Sequence, residues 1–198
     1  MSTPDDGKRI EGGFDLSPIM HASEPLTTKD FFALDVDDKF KVELLGGALA
    51  LSPSPKPWHG DVGLELRDAL KTALGPAFRI YLDLDVEVDE ETVVRPDVFV
   101  MRSQSHDPDN VAKAPEVLLA IEIMSPGSRT NDRQVKPALY RDAGIPSWRI
   151  ERSGQRLLLI EIPVLGKDVL HLGQATLKVA GVDVAVDLDT IARYALGE

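Results

Sequence analysis

Apolar residues recur along this chain in two rhythms, and the order of the rhythms predicts its elements. Residues 1 to about 25 follow neither: they are polar, contain proline and glycine, and read as a loose arm. "TTKDFFAL" predicts a short helix capped by Thr27 or Thr28, with Asp30 in its first turn. "FKVELLGGALALSPSP" predicts two short strands around a turn at Gly46-Gly47. In "HGDVGLELRDALKTALG", Val62, Leu64, Leu66, Leu70 and Leu74 have the spacing of an amphipathic helix, closed by Gly75-Pro76.

The rhythm then changes to a period of two. "RIYLDLDVEVDEE" places Ile80, Leu82, Leu84, Val86 and Val88 on one side and Tyr81, Asp83, Asp85, Glu87 and Asp89 on the other. "VVRPDVFVM" and "EVLLAIEIM" follow as strands, and "DRQVKPALYRDAG" as a helix ending at Gly144. "WRIER", "RLLLIEIPVL", "VLHLG", "ATLKV" and "VDVAVDL" predict further short strands, and "TIARYAL" a last helix. This order predicts one domain over residues 26–198, of α/β or mixed α+β class, built around one central sheet.

Two acids interrupt otherwise apolar strands. The run from Val117 to Met124 is apolar except for Glu122, and a strand of that kind is buried on both faces. Asp97 sits in similar company in "RPDVFVM", after a proline that favours a strand edge, start or bulge. Desolvating an ionised carboxylate is expensive unless a cation or several donors meet it. Two such acids on neighbouring strands can converge on one divalent cation, since Mg²⁺ uses one or two carboxylates with waters and phosphate oxygens. A structural salt bridge, to Arg95 or Lys136, is the alternative. Asp132, Lys136 and Tyr140 lie four residues apart and so share a helix face. Pro137 is acceptable there if the regular helix begins near Lys136, at its positive end.

Composition removes several chemistries. The chain has no cysteine, which excludes disulfides, thiolate metal sites and cysteine nucleophiles. None of its apolar runs reaches the roughly 20 residues that span a bilayer, and its N-terminus lacks signal-peptide regions. The expected location is cytoplasmic. A net charge of −11 requires any phosphate-binding surface to be local, and basic residues do cluster from Arg129 to Arg156. His21, His106 and His171 show no metal-ligand spacing, and Ser125 and Ser128 lack the Gly-x-Ser-x-Gly frame of a hydrolase nucleophile.

Taken in order, "RPDVFV", "AIEIMSPGS" and "DRQVKPALYRDAGIPSW" resemble the Uma-type restriction endonucleases of the PD-(D/E)XK nuclease superfamily. The likeness runs from about Leu26 to "VDVAVDLDTIARYA" and takes in "VELLGGALALSPSP" and His59. It implies a restriction-endonuclease-like core sheet flanked by helices. It also implies a divalent metal, Mg²⁺ or Mn²⁺, held by Asp97 and Glu122, and hydrolysis of DNA phosphodiester bonds. The superfamily's lysine position, two residues after the second acid, is Met124 here, so that role passes to Lys136. The family's early Asp-Gly-Glu reads Gly46-Gly47-Ala48, leaving Glu43 as a further acid of the site. His59 and Asp85 are additional candidates. "GIPSWRIE" is one residue shorter than the family's form and keeps Trp148 and Glu151.

The expected function is therefore that of a metal-dependent nuclease with Asp97, Glu122 and Lys136 as its catalytic set and DNA as its partner. A homodimer would supply two sites for two strands. The competing expectations are a nuclease fold that binds or assembles without cutting, and a hydrolase of small phosphate esters using the same acids.

Overall fold

A computed structural model of the chain describes residues 25–34, 40–105, 107–124 and 131–197, without the side chains of Pro53, Asn131 and Asp132. The expected arm lies outside the described residues except for Pro25, as do His21, His106, Ser125, Ser128 and Arg129. Helix α1 (Thr28–Phe32) opens on Thr27, whose backbone N–H donates to the Asp30 carboxylate at 2.9 Å in a capping box. Strands β1 (Phe40–Leu45) and β2 (Ala48–Pro53) form the expected hairpin. Its two turn glycines, Gly46 and Gly47, have φ of 58° and 77°, the left-handed pair that such a turn needs. Helix α2 (Pro57–Leu74) starts on Pro57, two residues ahead of the expected start, because proline suits a first helical position.

The alternating segment after α2 is not one strand. It divides into β3 (Phe78–Leu82) and β4 (Val86–Asp89), which belong to different sheets. "VVRPDVFVM" divides likewise into β5 (Thr92–Val94) and β6 (Val98–Arg102). The two breaks are tied to each other. Asp83 turns to φ 49° and donates its N–H to the Asp97 carbonyl at 3.3 Å, while Arg95 grips Asp85 with two hydrogen bonds of 2.8 and 3.1 Å. Leu84, expected in the core, is half exposed as a result. After the short β7 (Ala112–Lys113) come β8 (Val117–Ile123), helix α3 (Lys136–Asp142), β9 (Ser147–Ser153), β10 (Arg156–Ile162), β11 (Val169–His171), β12 (Gln174–Val179), β13 (Val182–Asp187) and α4 (Leu188–Leu196).

The strands occupy three sheets rather than one: β2-β1-β5-β4-β7, β11-β10-β9-β8-β6-β3, and the hairpin β12-β13. In the six-stranded sheet β8 is interior and runs parallel to β9, with α3 in the connection between them. One face of this sheet, carrying Val98, Val100, Ile121 and Ile123, packs on α2, α4 and the β12-β13 hairpin. The other, carrying Phe99 and Ala120, meets Val86 and Val94 of the five-stranded sheet and Tyr140 of α3. The five-stranded sheet buries its far side, Val42, Leu44 and Val93, under Leu26 and Phe31. The fold is thus a layered α+β, restriction-endonuclease-like arrangement, and no helix among the described residues is long and apolar enough to cross a membrane.

The hairpin turn carries a testable contact. A Cβ at Gly47 would lie 2.4 Å from Pro25 Cβ, whereas one at Gly46 would meet nothing within 4 Å. Gly46→Ala is expected to lose only the left-handed penalty, about 1 kcal/mol, and Gly47→Ala distinctly more. Urea unfolding of both variants checks the order; equal losses would show that the Pro25 contact costs nothing to move.

Candidate active site

Strand parity puts Glu122 on the face of β8 that carries Ala120, turned toward the five-stranded sheet. It is buried there, and two side chains of α3 meet it. The Tyr140 hydroxyl donates to Glu122 Oε1 at 2.6 Å, and Lys136 Nζ donates to Oε2 at 3.0 Å. The same ammonium lies 2.8 Å from Glu43 Oε1, on β1, which also accepts the Arg95 backbone N–H at 2.7 Å. Lys136 is only 1% exposed, so its charge is committed to these two acids. The helix delivers it as Pro137 suggests: an irregular π-type turn over Asn131–Val135 gives way to regular α-helix at Lys136. The spacing of four then places Lys136 and Tyr140 on one face; the side chain of Asp132, expected with them, lies outside the described residues.

Asp97 precedes β6 by one residue and points to the same side, with both oxygens occupied. Lys41 Nζ donates to Oδ1 at 2.6 Å, and the Ile123 backbone N–H donates to Oδ2 at 2.6 Å. His59, near the start of α2, brings Nε2 within 3.2 Å of Oδ2 and 2.9 Å of the Ile123 carbonyl oxygen. Both neighbours are acceptors, which places a proton on Nε2. Burial alone would raise the Asp97 pKa, but Lys41, then His59, and the more distant Lys136 outweigh it and hold the carboxyl well below the usual range. Burial would also lower Lys41, yet Asp97, helped by Glu122 and Glu43, holds its ammonium above the ordinary lysine value. The two lysines and three acids form one electrostatic unit.

The structure thus gathers Asp97, Glu122, Lys136, Glu43 and His59, five of the six residues singled out by sequence. Asp85 stands one step away, in its ion pair with Arg95, whose backbone N–H reaches Glu43. Two participants were not expected. Tyr140, which shares its helix face with Lys136, holds Glu122, and Lys41 holds Asp97. The signal for Lys41 was its place two residues before Glu43, on the same side of a strand whose intervening Val42 is core. The basic cluster is largely engaged with acids: Arg133 and Arg149 share Glu151, and Arg141 pairs with Asp168. Outside the site, His171 pairs with Glu161 at 3.0 Å.

A family model described as Uma2, "putative restriction endonuclease", matches residues 28–176, about three quarters of the chain. The chain belongs to the Uma2 family. No curated protein matches it. A crystal structure of a "putative nuclease" from Anabaena variabilis is similar to this Uma2 chain with a TM-score of 0.70 and 17% identity, over 86% of this chain and 99% of that one. That likeness shows a shared fold.

Restriction-endonuclease-like families generally use divalent metals, and the Uma2 site can be tested for fit. Among the described residues, no group of three or more His, Asp or Glu side chains forms a ready cage. Mg²⁺ does not require one, since one or two carboxylates suffice when waters and substrate complete the shell. Asp97 and Glu122 are hard oxygen donors held in place by other groups. At Asp97 a cation already sits on Oδ1: the Lys41 ammonium. The donor set fits a hard divalent ion.

Two outcomes follow from these pairings. Lys136→Met leaves Glu122 and Glu43 without their shared cation and is expected to cost about 3–5 kcal/mol in chemical unfolding; a loss below about 1 kcal/mol would show the ion triad to be unimportant for the fold. Asp97 binds its proton more weakly folded than unfolded. Its contribution is therefore complete above about pH 4 and lost as pH falls below that value. In Asp97→Asn the acid-side slope of stability should be shallower than in wild type, as read from melts between pH 2 and 5. Identical slopes would deny Asp97 its depressed pKa.

Proposed function

We propose that this Uma2 protein is a metal-dependent nuclease that hydrolyses DNA phosphodiester bonds, with Mg²⁺ or Mn²⁺ held by Asp97 and Glu122. The observation that supports this reading most is the pair of buried carboxylates on adjacent strands, each oriented by its own donors, on one face of the sheet. A divalent ion bound there would polarise the phosphate and lower the pKa of a bound water. The protein's own residues prepare that event. Ile123 N–H and His59 fix the rotamer of Asp97, and Tyr140 fixes Glu122. Lys136 bridges Glu122 and Glu43 and keeps them at a set separation. A single domain over residues 26–198 would carry the site, and a two-fold dimer would present two of them.

One observation favours a second reading, a nuclease fold that binds without cutting. Each of the three acids already has an ammonium within hydrogen-bond distance, with Lys136 shared between two of them, so most of the site's negative charge is met without metal. Plasmid cleavage separates the two. With Mg²⁺ or Mn²⁺, nicking or linearisation should appear, stop with EDTA, and fall on the order of 10²-fold or more in Asp97→Ala. Cleavage that persists in EDTA would sink the metal-dependent reading, and no cleavage with either metal on any DNA form would favour the binding module.

A further inference from the structure

The two lysines of the site are not equivalent. Lys136 is buried between two acids, whereas Lys41 keeps 18% of its side chain exposed and stands at the edge of the unit. Lys41 also has two acids in reach. Its Nζ is 2.6 Å from Oδ1 of buried Asp97 and 4.0 Å from Oδ1 of Asp83, whose side chain is 62% exposed. Asp83 is fixed in that position: its backbone takes the left-handed turn at φ 49° and its N–H donates to the Asp97 carbonyl. A strand break thus sets a second carboxylate beside the first, within reach of the lysine.

From this arrangement we infer that Lys41 is an exchangeable cation. It occupies Asp97 Oδ1 while the site lacks metal, and it transfers to Asp83 when a divalent ion takes that oxygen. The inference rests on the metal reading above and adds a mechanism to it. An ammonium and a divalent ion cannot both sit at hydrogen-bonding or ligand distance on one carboxylate oxygen without strong repulsion, so metal entry has to move the lysine. A flexible four-carbon stem permits the move, and a displaced lysine beside Asp83 would still be compensated. Lys136 has no comparable freedom, since both of its acids are buried with it. The consequence is a site that folds without metal and yields to it at a defined residue.

Mn²⁺ titration by calorimetry tests this with wild type, Lys41→Met, Asp83→Asn and the double variant. Asparagine tolerates the left-handed backbone, so Asp83→Asn keeps the turn. Lys41→Met should bind Mn²⁺ about tenfold more tightly or better, and Mn²⁺ should raise its melting temperature more than that of wild type. Asp83→Asn should weaken Mn²⁺ binding in the wild-type background and leave it unchanged beside Lys41→Met, because without the lysine there is nothing to receive. Equal or weaker binding by Lys41→Met overturns the inference, and so does an Asp83 effect of the same size in both backgrounds. Lysine acetylation of wild type, read by mass spectrometry, decides the matter even if Lys41→Met does not fold. Lys41 should label faster with Mn²⁺ than without, and unchanged labelling overturns the exchange. If wild type binds no Mn²⁺, the metal reading itself falls, whereas Asp97-dependent binding without any Lys41 effect removes only the exchange.

Discussion

A carboxylate in the middle of a strand covered on both faces must be met by positive charge, and the architecture around Glu122 is organised to satisfy that requirement. The answer is Lys136, and it serves more than one acid. Its ammonium bridges Glu122 on the six-stranded sheet and Glu43 on the five-stranded sheet, so with the Lys41–Asp97 pair it adds a polar link between two layers that also share apolar contacts. Breaking a buried pair of this kind is costly because the surviving charge stays buried. The position of α3, the irregular turn before it and the proline that follows Lys136 all serve to bring that ammonium to the layer boundary.

Asp97 and Glu122 were legible because each is a lone acid in an apolar strand, and physics offers few reasons for such an exception; Glu43 was legible only through the family likeness. The start of α3 was legible too, since Pro137 fixes where a regular helix can begin. What meets Glu122 was not. A sequence shows that a buried carboxylate needs a cation, but an ammonium and a divalent ion satisfy the same need. Lys41 was hidden for a different reason: a lysine in a six-residue strand has the pattern of a solvated edge, and only the docking of the two sheets turns it inward.

The division of the alternating segments escaped detection because parity survives it. Residues 80 to 88 keep their two-residue rhythm across the turn at Asp83, so periodicity alone cannot distinguish one long strand from two shorter ones in separate sheets. The proline at 96 marked the second break more openly, as a strand start. The order of the elements supplied the mixed α+β class and the family likeness the restriction-endonuclease-like arrangement, while the assignment of strands to three sheets came only from three-dimensional pairing.

The ion network also has a place in time. Glu122 and Lys136 are 14 residues apart, but Lys41 and Asp97 are 56 apart and the Arg95 N–H reaches 52 residues back to Glu43. Contacts so distant along the chain form late, after the loops between them have closed. Before the two sheets meet, Lys41 and Glu43 are absent from the site, so Asp97 lacks its ammonium and Lys136 has only Glu122 to pair with. Completion of the site therefore requires that both sheets be formed and docked.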